Sequence, residues 1–195
     1  MPRGQRRVYL ARLMPYLAGS LALFFLGAGA GLMVVQQVPG LADRFADTLA
    51  AFVKGFAGMP RWQLAIAIFL NNSIKTLIAL LLGTLFGIVP SVFLLANGAA
   101  LGVALSLSIQ TRGLWTSLVS VLPHGIIELP AVFLAMSIGL LLGAHALMRL
   151  RGRSETPVGA EIRLGISYFC AVILPLLLLA AFVEAFVTAA LISPR

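Results

Sequence analysis

Apolar residues in this chain come in long blocks, not in the alternation of a half-buried strand or the narrow stripe of a surface helix. The first block runs from about Pro15 to Val35, preceded by Arg3, Arg6, Arg7 and Arg12. At about 20 residues it exceeds the ~7–15 of a secretory h-region, so an uncleaved membrane helix is expected. Together the blocks predict spans over about 15–36, 62–89, 91–109, 124–148 and 164–192. Each is long enough for a hydrocarbon core of ~30 Å.

Two stretches break the pattern. From about 40 to 58, Leu41, Phe45, Leu49, Phe52, Val53 and Phe56 recur at helical spacing while Asp43, Asp47 and Lys54 share another face. That predicts an amphipathic helix lying in the membrane interface, either as a connector or as a docking surface. The stretch from Leu114 to Met148 would be about 52 Å long as one straight helix. Pro123 and Pro130 interrupt it, which predicts a separate short or re-entrant segment over 114–123 before the fourth span. Pro90 predicts a tight turn between the second and third spans, and Pro175 a kink in the fifth.

The fold class that follows is all-α: a polytopic transmembrane bundle of about five spans in a single membrane domain, 1–195. Composition agrees. The 195 residues are 61% hydrophobic and 10% charged, against about 25% charged in soluble domains. The mean hydropathy is +1.04. A net charge of +8 would suit nucleic acid, but the arginines flank apolar blocks instead of forming a basic domain, so no nucleic-acid partner is expected. They serve orientation. Arg3, Arg6, Arg7 and Arg12 fall on the same side of five spans as Arg149, Arg151, Arg153 and Arg163, which predicts an inner-membrane protein with its N-terminus cytoplasmic and its C-terminus outside. The single cysteine, Cys170, lies in an apolar block and supports neither a disulfide framework nor a cysteine metal site.

Glycines pair at four-residue spacing as Gly27/Gly31, Gly83/Gly87, Gly98/Gly102 and Gly139/Gly143. Each pair lets a neighbouring backbone approach closely, within the bundle or across a homodimer interface.

Polar residues inside spans are costly and therefore candidate functional residues. They are Asn71, Asn72 and Lys75 on the second span, Asn97 on the third, His124 and Glu128 near the fourth, and Glu184 nearer the outer end of the fifth. Antiparallel geometry puts Lys75 and Glu128 at comparable depth, so an ion pair between them is expected. The cluster reads either as a structural register device or as an ion, proton or substrate site. His124 and Glu128 supply two metal ligands, too few for a site, and no cofactor is expected. Metalloprotease and serine-nucleophile motifs are absent, as is a phosphate-binding glycine loop, so the chain reads as non-enzymatic.

Asn71-Asn72, Asn97-Gly98 and the run Pro123-His124-Gly125-Ile126-Ile127-Glu128 resemble the stage II sporulation protein M family of small multi-spanning membrane proteins. The resemblance implies that these are signature positions. It also implies a membrane anchor that recruits extracytoplasmic peptidoglycan-remodelling proteins during engulfment. A scaffold is therefore the expected function. The alternative is a small transporter or channel component using the Asn/Lys/His/Glu cluster.

Overall fold

A computed structural model describes residues 3–38, 40–55, 58–153 and 156–188, with the backbone alone over 3–7, 42, 49, 52–53, 118–124 and 187–188. The chain order is α1 (Arg3–Gln37), α2 (Leu41–Lys54), α3 (Arg61–Leu81), α4 (Ile88–Arg112), α5 (Leu114–Leu150), α6 (Val158–Tyr168) and α7 (Leu174–Val183). No strand occurs among the described residues. Five helical stretches are long and apolar enough to cross a membrane: Val8–Gln37, Arg61–Thr84, Ile88–Arg112, Gly125–Leu150 and Val158–Phe186. In α5, 56% of the spanning window is buried, against 33% or less in every other span, so α5 is the central helix.

Glycines set the packing. A Cβ on Gly27 or Gly31 of α1 would overlap the carbonyl oxygens of Leu95 and Ala99 on α4. Reciprocally, a Cβ on Gly98 or Gly102 would overlap those of Phe24 and Ala28. Numbers rise together along both helices, so α1 and α4 run parallel with their backbones in contact. Such approach replaces side-chain packing with Cα–H···O contacts and close dispersion, the means by which helices associate where lipid removes the hydrophobic drive.

The other two pairs form a second interlock. Gly139 of α5 lies against Gly83, Leu80 and Pro90, and Gly143 lies against the backbone of Phe86 and Gly87. All four glycine pairs thus engage within the chain.

Helix boundaries differ from the expected ones in five places. The first helix starts at Arg3 instead of 15 and runs through Pro15, because Tyr9 and Leu13 are buried in the core. The amphipathic helix α2 is shorter than 40–58, and residues 56 and 57 lie outside the described residues. The second span ends in a 3-10 turn at Leu82–Thr84, not at 89, and the third starts at Ile88, not 91, and runs to Arg112. Phe86 (φ 54°) and Gly87 (φ 76°) reverse the chain there with two left-handed residues. Phe86 costs ~1–2 kcal/mol in that conformation. Pro90 is not in the turn; it occupies the first turn of α4, where its missing N–H has no helical acceptor to lose.

The fourth difference is the largest. No break or re-entrant segment separates 114–123 from the fourth span: α5 is one helix through both Pro123 and Pro130. A proline in a membrane helix frees a carbonyl that its surroundings can satisfy, so it does not force a break. Last, the fifth span begins at Val158 instead of 164; of its expected end, 189–192 lie outside the described residues. Before Pro175 the helix widens into a π-turn, Phe169–Ile173, closed by Leu174 N–H donating to the Phe169 carbonyl. The wider turn absorbs the clash that the proline ring would make with the preceding turn.

Candidate functional site

The side chains of α3 divide between two faces. Ala65, Ser73, Thr76, Ala79 and Leu80 are buried. Trp62, Ile66, Leu70, Ile74, Ile78 and Leu82 form an exposed row at every fourth position. Lys75 lies with the exposed row, about 100° around the helix from Thr76. Asn71, one turn before it, is half-buried and donates through Nδ2 to Asn72 Oδ1 at 3.2 Å.

On α4, Asn97 and Gly98 point opposite ways. Gly98 closes on the Phe24 carbonyl, whereas Asn97 is exposed and donates through Nδ2 to the Phe93 carbonyl at 2.7 Å. Glu128, on the central helix, is buried at 9% exposure. The structure therefore does not bring Lys75 and Glu128 into an ion pair: one faces out and the other in. Pro123 and His124 are helical, so His124 stands one turn before Glu128; their side chains lie outside the described ones. Gly125 has only a side-chain neighbour, with a Cβ there 3.6 Å from Leu129 Cδ1, so it serves no close helix approach. Among the described residues no group of three His, Cys, Asp or Glu could hold a metal ion.

A second polar cluster was not foreseen. Arg12 Nη2 donates to Glu161 Oε1 at 2.8 Å, joining α1 to the first turn of α6. The Glu161 side chain is 5% exposed and that of Arg12 42%. The carboxylate also lies near the N-terminus of α6, where the helix dipole favours negative charge. Beside it Tyr9 stacks obliquely on Tyr168, ring centroids 5.8 Å apart. On the same helix Gly165 packs against α5, since a Cβ there would meet Ile138 at 2.8 Å. The sequence places Glu161 in an arginine-rich loop. The signal that could have found it is the spacing Glu161, Gly165, Tyr168, one helix face running inward from the loop.

The loop before α6 is tied from α5. His145 Nε2 donates to the Thr156 carbonyl at 3.0 Å, and Arg149 Nη1 to the same oxygen at 3.2 Å. Deeper in, the Ser137 hydroxyl donates to the Phe133 carbonyl, so Ser20 is the donor in the 3.3 Å Ser20–Ser137 contact between α1 and α5.

Residues 20–189 match the family model described as Stage II sporulation protein M. The chain belongs to that family. An uncharacterised protein of Methanocaldococcus jannaschii is 25% identical over 171 residues, covering 87% of this chain and 91% of its own length. No solved structure matches. The stretch shared with the Stage II sporulation protein M family includes all four glycine pairs and every polar position from Asn71 to Glu128. Within it, the positions that carry the resemblance are of two kinds. Gly98 holds helices together, while Asn97 faces away from the bundle.

Proposed function

We propose that this family member is a non-enzymatic scaffold of the inner membrane. Its arginine-bearing end faces the cytoplasm, and α2 is presented outside to peptidoglycan-remodelling proteins. The observation that carries this reading is the exposure of α2. Asp43, Arg44, Asp47 and Lys54 are all exposed, and only Leu41 and Phe45 among its described apolar side chains are half-buried. The spans, by contrast, spend their glycines and small residues on each other, as a rigid platform requires.

The test is the double variant Asp43→Lys/Asp47→Lys in the native host. The expected result is normal insertion and abundance with loss of co-purifying cell-wall hydrolase. Unchanged co-purification would make α2 a connector. The transport alternative draws on Glu128, an acid buried in the central helix. It requires ion flux in proteoliposomes that Glu128→Gln abolishes.

A further inference from the structure

We propose that the exposed face of α3 around Lys75 receives an acidic side chain from a transmembrane helix of a partner protein. This rests on the scaffold reading and adds to it a contact inside the bilayer.

Depth carries the argument. Lys75 lies nine residues from the end of its span at Thr84, ~14 Å at 1.5 Å per residue, close to half of a ~30 Å core. Its methylene stem covers less than half of that distance, so the ammonium does not reach the headgroups by snorkelling. Its neighbours on the helix face are the half-buried amides Asn71 and Asn72 one turn before it and, after it, Ile78 and Leu82, both exposed. An exposed ammonium at that depth is costly even beside two amides, which bring no counter-charge, and such groups are ordinarily turned inward or paired. Lys75 has no ion-pair partner among the described residues.

A second observation falls at the same level. Asn97 lies nine residues after Ile88, the start of α4, and so ~14 Å from the same chain reversal. It too is exposed. Its amide nitrogen donates to the Phe93 carbonyl, and no hydrogen bond engages its Oδ1 acceptor among the described residues. Two outward polar groups at mid-depth, a cation and an amide, mark a level at which something other than lipid is met.

The occupant must bring negative charge to that level. A second copy of this chain does not. Its six acidic residues are Asp43, Asp47, Glu128, Glu155, Glu161 and Glu184. The aspartates are on α2, and Glu155 falls in sequence between α5 and α6, outside the described residues. Glu128 and Glu161 are buried, and Glu184 lies near the far end of the last span. Charge complementarity therefore favours a different protein whose spanning helix carries Asp or Glu near its centre.

The experiment uses the full chain, labelled at its N-terminus, in vesicles of zwitterionic lipid. Energy transfer is measured to leucine-alanine transmembrane peptides with Glu, Gln, Lys or Leu at the central position. The Glu peptide is expected to associate with the wild type and to fall to the level of the Leu peptide with Lys75→Met. Lys75→Glu is expected to exchange the preference, taking the Lys peptide. Lys75 is exposed, so the variants are expected to keep the wild-type melting temperature in detergent. Equal association of the Glu peptide with Lys75→Met overturns the proposal. So does transfer between two copies of the chain that is lost with Lys75→Met, which would make the occupant a second copy. Either failure leaves the docking of α2 intact, and loss of that docking leaves the peptide preference unchanged.

Discussion

Arg12 and Glu161, 149 positions apart, form a 2.8 Å ion pair that joins the first helix to the start of the last span. The pair brings both arginine-rich segments to one end of the bundle. It also explains why α1 remains helical ahead of Pro15: Tyr9 and Leu13 are packed on one side of Arg12, and the side chain itself is anchored. Because Glu161 is buried and Arg12 partly open, the two members of the pair are unequal.

Glu161→Gln is therefore expected to lower stability by about 1–3 kcal/mol, the cost of weakening a buried charge-assisted hydrogen bond. Arg12→Met leaves the carboxylate without its counter-charge and is expected to cost as much or more. The double variant should recover part of the loss, since breaking one member of a buried pair costs more than replacing both. Thermal unfolding in detergent measures all three. Strictly additive losses would mean that the pair contributes nothing.

The glycine interlock makes a sharper contrast. Gly31→Ala and Gly98→Ala place a methyl on a backbone carbonyl of the facing helix, which cannot move aside as a side chain can. Each is expected to destabilise by at least the ~1–3 kcal/mol typical of overpacking. Gly19→Ala and Gly29→Ala, with nothing within 4 Å of the added carbon, should be neutral or slightly stabilising. Melting temperatures of the four variants decide it; a comparable loss at Gly29 would remove the α1–α4 contact as the cause.

Lys75 and Glu128 are expected to act independently. Glu128→Gln changes a buried group and should lower stability, whereas Lys75→Met should leave it nearly unchanged. Their combination should be additive. Recovery in the double variant would show that the two side chains meet in the membrane after all.

Orientation is open to a direct measurement. A reporter active only in the cytoplasm should work when fused after Arg153 and fail after Gly113, following the arginine asymmetry. The reverse pattern would place α2 in the cytoplasm and remove its extracytoplasmic partners.

Five apolar blocks, an amphipathic segment and arginines collected at one end were all legible from local composition. Each depends only on how a short stretch of chain partitions between lipid and water. What composition does not carry is the rotation of each helix about its axis. A span that is apolar all round has no stripe to show which side faces its neighbours. So the pairing of Gly27 and Gly31 with Gly98 and Gly102, across two intervening helices in sequence, emerged only from packing. Packing also decided that Glu128 and Glu161 turn inward while Lys75 turns outward, and that α6 begins early enough to bury Glu161. The continuity of α5 through Pro123 and Pro130 was settled in the same way. A proline sets a local preference, but whether a helix breaks there depends on what surrounds the carbonyl it frees.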